Sequence, residues 1–86
     1  MPELSRFSGM VIRMWYNDHG DPHIHVFYNG KLTKIDLSGN VITRLYLPPN
    51  KLSLVRDWIK KHYNELENCW QLIRDRNTPG RIKPWK

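Results

Sequence analysis

His23-Ile24-His25-Val26-Phe27-Tyr28-Asn29-Gly30-Lys31-Leu32-Thr33-Lys34-Ile35-Asp36 places two strand-forming runs on either side of Asn-Gly. Both central residues of a type I′ turn need positive φ, which Asn-Gly tolerates, and this turn matches the natural twist of a two-stranded antiparallel hairpin. The turn then sets the register. Tyr28 faces Lys31, Val26 faces Thr33 and Ile24 faces Ile35 on one side. On the other side Phe27 meets Leu32, His25 meets Lys34 and His23 meets Asp36. The first set reads as the core side. His23 and His25 share the opposite side, ~6.6 Å apart along the strand, with a carboxylate and an ammonium across from them.

Working outward, Met10 to Tyr16 reads as a strand that follows Gly9, and the hairpin continues to Leu37. Ser38-Gly39-Asn40 is a second turn, and Val41 to Tyr46 reads as a fourth strand ended by Leu47-Pro48-Pro49-Asn50. Leu52, Val55, Trp58, Ile59 and His62 then fall at helical spacing. Asn64, followed by Glu65 and Glu67, reads as the N-cap of a second helix whose apolar stripe is Leu66, Cys69, Trp70 and Ile73. Asn77-Thr78-Pro79-Gly80 stops it and leaves Arg81 to Lys86 as an extended tail, with Ile82 and Trp85 as docking residues. The expected architecture is one small α+β domain spanning residues 1–86: an antiparallel β-meander of about four strands, then two C-terminal helices covering one face, and an extended tail.

The chain has 86 residues, 40% of them apolar and 12% aromatic, which suits one hydrophobic core. Cys69 is the single cysteine, so an internal disulfide is excluded. The first residues lack the order of a signal peptide, and no apolar run approaches the ~20 residues of a membrane span. A cytoplasmic protein with no membrane partner is expected. Fourteen Lys and Arg against eight Asp and Glu give a formal charge of +6, which favours a polyanion or acidic protein as partner. The basic residues are spread along the chain and grow denser toward its C-terminal end.

The segment Asn17 to His25 holds three of the four histidines with Asp18, Asp21 and Pro22. Histidine titrates near neutrality and is the commonest metal ligand, so two chemistries compete here. In the first, His23 and His25 divide the roles of base and acid in a metal-independent ribonuclease, Asp36 orients His23, and Lys34 or Arg13 holds the phosphate. In the second, His19, His23, His25 and Asp21 bind zinc or another divalent metal, although the spacing matches no established zinc pattern. The reading expects no cofactor, with the metal as its alternative. Simple hydrogen bonding of the histidines to backbone and carboxylates explains the same residues without chemistry. Cys69, on an apolar helical stripe, reads as a small buried hydrophobe.

Pro2-Glu3-Leu4-Ser5-Arg6-Phe7, Val11-Ile12-Arg13-Met14, Asp18-His19 and Pro22-His23-Ile24-His25 together resemble the small bacterial family called domain of unknown function 4160. Leu47-Pro48, Trp58, the run from Glu65-Leu66 to Trp70, and Ile82-Lys83-Pro84 extend the resemblance over nearly the whole chain. The family pattern has Pro-Pro-His-Phe-His, where this chain has Asp21 and Ile24 in place of the first Pro and the Phe. Members often stand beside a second small gene. The resemblance therefore implies a toxin-like component of a toxin–antitoxin pair, acting on RNA or the ribosome and masked by a small acidic partner protein. It points to His19, His23 and His25, with Arg6 and Arg13 as supporting cations. The competing reading is a non-enzymatic protein-interaction or metal-binding module. Edge strands of a short meander also allow a dimer.

Overall fold

The computed structural model describes residues 2–16 and 20–85. His19 and Asp18, and with them part of the histidine-rich segment, lie outside the described residues. Four strands, β1 (Glu3–Phe7), β2 (Met10–Arg13), β3 (His23–Tyr28) and β4 (Lys31–Asp36), precede two helices, α1 (Pro49–Lys61) and α2 (Tyr63–Arg74). The strands form one antiparallel sheet in the order β1-β2-β3-β4. The α+β meander with two C-terminal helices is the architecture expected from the sequence.

The central hairpin has the register that Asn29-Gly30 dictates, from Tyr28 opposite Lys31 to His23 opposite Asp36. Asn29 and Gly30 have φ of 52° and 77°, the two positive values of a type I′ turn. Ser8 and Gly9, at 52° and 78°, repeat this geometry between β1 and β2. Phe7 pairs with Met10 across that turn, as Tyr28 pairs with Lys31 across the other.

Strand assignment needs one exchange. Glu3–Phe7 is the missed strand, and Val41 to Tyr46 is not a strand, making one isolated bridge from Val41 to Ile35. The expected fourth strand fails because its neighbours satisfy the β4 edge irregularly. Asp36 N–H donates to the Asn40 carbonyl (2.9 Å) and Ile42 N–H to the Lys34 carbonyl (2.8 Å). Lys34 N–H donates to the Thr43 hydroxyl at 3.0 Å, and Tyr46 N–H to the buried Thr33 hydroxyl at 3.1 Å. Ile42, Leu45 and Tyr46 consequently point away from any core and remain exposed. The first predicted strand also ends earlier than expected, at Arg13.

Ile12, Ile24, Val26, Thr33 and Ile35 are fully buried on the face read as the core side. The apolar stripes of both helices join this core, and Trp70 of α2 also reaches His23. Leu52, Val55, Trp58 and Ile59 of α1 are buried, as are Leu66, Cys69, Trp70 and Ile73 of α2, and Trp58 meets Phe7 at 5.4 Å between ring centroids. Pro49 opens α1 where its missing N–H costs nothing. The second helix starts at Tyr63 with His62 as its cap residue, which corrects the cap assigned to Asn64. The buried His62 ring donates from Nδ1 to Glu65 Oε1 at 2.7 Å, and this contact turns the chain from one helix into the next.

The tail docks as expected. Ile82 is buried and its N–H donates to the Leu4 carbonyl at 2.7 Å, while Trp58 Nε1 donates to the Lys83 carbonyl at 2.8 Å. Lys61 lies over the Trp85 ring. No helix among the described residues is long and apolar enough to cross a membrane.

Candidate functional site

Strand alternation sends residues 11, 13, 23, 25, 27, 32, 34 and 36 to the side of the sheet opposite the core. One register row there takes a residue from every strand: Glu3 pairs with Arg13, Arg13 with His25, and His25 with Lys34. An adjacent row runs from Arg6 through Val11 and Phe27 to Leu32. A bulge between Glu3 and Ser5 keeps Glu3 and Arg6 on the same side. Val11, Arg13, Phe27, Leu32 and Lys34 are half-buried, so this face is only partly covered.

His25 is the centre of the row and has no exposed surface. Trp15, the next outward residue after Arg13 on its strand side, stacks on the His25 ring at 4.3 Å and 14°. His23 tilts against His25 at 5.3 Å and against Trp70 of α2 at 5.2 Å, leaving 7% of its surface exposed. Its Nδ1 lies 2.9 Å from the Asp21 carbonyl. A carbonyl only accepts, so Nδ1 carries the proton and a neutral His23 holds its lone pair on Nε2. The sequence places His23 and His25 together, and the structure brings them together, but beneath aromatic rings.

Asp36 lies opposite His23 as the register requires. Its carboxylate accepts from the N–H groups of Ser38 and Asn40, both at 2.9 Å, and so closes the turn after β4. Asp21 contributes through its carbonyl to His23. Among the described residues no group of three or more His, Cys, Asp or Glu is arranged to hold a metal ion; His19, the remaining member of the proposed ligand set, lies outside them. Cys69 is buried, and burial, with Glu65 nearby, pushes its thiol pKa up, away from nucleophilic reactivity.

The cations are better connected than the sequence shows. Arg13 lies over the Phe27 ring at 5.3 Å, and its Nη2 stands 3.9 Å from Glu3 Oε1. Arg6 bonds Glu3 through two nitrogens, at 2.8 and 3.3 Å, and Arg81 reaches the same carboxylate at 2.9 Å. Hydrogen bonding to Arg6, with its charge and that of Arg81, holds the Glu3 carboxyl below the usual carboxylate range. The involvement of Trp15, Glu3 and Arg81 was not legible locally. Arg81 arrives 78 residues along the chain because Ile82 hydrogen-bonds Leu4. The indole Nε1 of Trp15 and the Nε of Arg13 are buried N–H donors with no acceptor among the described residues.

On the helical side, a cavity of about 840 Å³ is lined by Leu37, Leu52, Ile59, Arg56, Lys60 and Tyr63, among others, and by none of the histidines. The family model described as "Domain of unknown function (DUF4160)" matches residues 9–71, which include β2, β3, β4, α1 and most of α2. No curated protein and no solved structure matches the chain.

Proposed function

We propose, from the premise that this chain belongs to the DUF4160 family, that it is a cytoplasmic RNA-binding protein that applies the outer face of its sheet to single-stranded RNA. The observation that carries this reading is the row Arg13, His25, Lys34 crossing three strands beside half-buried Phe27 and Trp15. Aromatic side chains on an antiparallel sheet offer stacking surfaces to unpaired bases, and flanking cations track the phosphates. Net charge of +6 favours a ligand rich in acceptor oxygens. The histidines build the face: His25 holds Trp15 flat. Cleavage through His25 needs Trp15 to move first, because the ring has no exposed surface. Binding is therefore the primary activity, and a toxin-like effect follows from occupying RNA or the ribosome. A small acidic partner protein masks the same cations.

Fluorescence polarisation with an unstructured RNA oligonucleotide tests this at several salt concentrations. Lys34→Gln should lower the salt slope by about 0.7, the single-strand value for one phosphate contact. Phe27→Ala should cost about 1–3 kcal/mol of binding with little change in slope, as expected for a lost stacking platform. Affinity equal to wild type in both folded variants would remove the outer face as the RNA site. Growth arrest on expression, abolished by the same substitutions, would connect binding to toxicity.

A further inference from the structure

The N-terminal strand and the C-terminal tail meet at one carboxylate. Glu3 is 19% exposed, whereas the Arg6 and Arg81 side chains that bond it are 62% and 64% exposed. The carboxylate thus sits behind and the guanidiniums face solvent. Arg13 supplies the third positive charge from β2, at 3.9 Å, beyond hydrogen-bond reach of the carboxylate. Three positive charges confront one negative charge, so two remain uncompensated. Each guanidinium has five N–H donors and one carboxylate only about four acceptor sites, so donors are in large excess as well. Among the described residues, the buried Arg13 Nε has no acceptor.

The convergence of three arginines on Glu3 exceeds what pairing a single carboxylate requires. It suits an incoming dianion. A phosphomonoester carries about −1.5 to −2 charge at pH 7 and three strong acceptor oxygens. A phosphodiester carries one charge and leaves half of the excess unmatched. Arginine is also the side chain whose planar fork binds phosphate in two-point fashion.

We propose that Arg6, Arg13 and Arg81, aligned by Glu3, form a binding site for a phosphomonoester group. Glu3 acts as an internal counter-ion that keeps the three guanidiniums in place when the site is empty of ligand. Arg6 and Arg13 also lie beside the outer face, but the phosphomonoester site does not depend on RNA binding there. The group comes either from the end of a nucleic-acid strand or from a small phosphorylated molecule.

Methyl phosphate titrated into ¹⁵N-labelled protein at constant ionic strength gives the first test, read on the arginine Nε–Hε resonances. Saturable shifts at Arg6 and Arg81 are expected, weakening as pH falls below about 6, where the monoester takes up its second proton. Dimethyl phosphate, a monoanion, should produce no saturable shift. Arg81→Gln, at an exposed position, should weaken methyl phosphate binding by about tenfold or more while leaving the melting temperature close to wild type. Equal responses to the two phosphates, or undiminished binding by Arg81→Gln, would reduce the cluster to charge screening and overturn the site. A second arm compares RNA oligonucleotides with a 5′-phosphate, a 3′-phosphate or neither. Tighter binding of a phosphorylated oligonucleotide, lost in Arg81→Gln, assigns the site to a strand end. Saturable methyl phosphate binding with no preference among the oligonucleotides assigns it to a small phosphorylated molecule. Because the first arm contains no RNA, its outcome is separate from that of the RNA-binding reading.

Discussion

Two single residues show how closely backbone and polar chemistry are tuned in this chain. Gly30 holds a φ of 77° at the tip of the central hairpin, and a Cβ built there meets nothing within 4 Å. Gly30→Ala therefore isolates backbone strain from steric clash, and it should cost about 1 kcal/mol in denaturant unfolding, the order of cost for an L residue in the left-handed region. A cost near zero would show that the turn relaxes to another type. Ser5 gives the opposite sign. It faces Ile12 on the core side, is 1% exposed, and its hydroxyl has no hydrogen-bond partner among the described residues. Leaving a buried hydroxyl unsatisfied costs free energy, so Ser5→Ala should stabilise the fold by about 1 kcal/mol. The check is a higher urea midpoint with an unchanged slope. The histidines show the limit of reading at this scale. Alternation alone separates His23 and His25 from the core face, yet both are buried, because Trp15 and Trp70 reach them from elements whose position no local pattern encodes.

At the scale of elements, turn chemistry was the most legible signal and strand propensity the least. Asn29-Gly30 gave all six residue pairs of the central hairpin. Ser8-Gly9 carries the same positive φ pair and was the available clue to β1, but Glu3–Phe7 is short, bulged and contains a serine and two charges. Val41 to Tyr46 has the better strand composition and still forms no strand. Its backbone donors go to Lys34 and to the Thr33 hydroxyl, and only Val41 packs on the core while Ile42, Leu45 and Tyr46 stay exposed. The helices were legible from spacing, whereas the junction was displaced because His62, through Glu65, outcompetes Asn64 as the turning point. The irregular segment has a consequence for the sheet edge. It occupies the outward donor and acceptor of Lys34, which an uncovered edge would offer to another chain. Thr33→Val keeps the shape of a fully buried residue and removes the acceptor for Tyr46 N–H, so it should cost about 1–2 kcal/mol. Amide exchange should accelerate at Tyr46 and Ile42 before the rest of the sheet, and sizing chromatography should show new self-association. Uniform acceleration across all strands would instead mean that the segment unfolds only with the whole domain.

For the whole molecule, the closure of the two chain ends is the feature that local patterns hid and that the phosphomonoester site depends on. The tail is held by Ile82 to Leu4, by Trp58 to Lys83 and by Arg81 to Glu3, so β1 is fixed between β2 and the C-terminal segment. Glu3 is the electrostatic part of that closure. Its folded-state pKa is lowered, first by the Arg6 hydrogen bond and further by the charges of Arg6 and Arg81. A lowered carboxyl pKa means that the unfolded state binds the proton more readily, so stability falls as the solution is acidified. The contribution is fully present above the unfolded pKa of about 4.3 and is lost as pH falls through the lower folded value. Glu3→Gln cannot titrate. The melting-temperature difference between wild type and Glu3→Gln should therefore be constant above about pH 5.5, more than a unit over the unfolded glutamate pKa, and shrink steadily below about pH 4. The effect should also diminish with added salt, because the Arg6 and Arg81 side chains are largely exposed and their attraction is screened. A difference that persists unchanged to about pH 2, well below the ordinary carboxylate pKa, would mean that Glu3 holds the chain ends through packing of its stem and not through its charge. In that case the three arginines would need another counter-ion to explain their convergence.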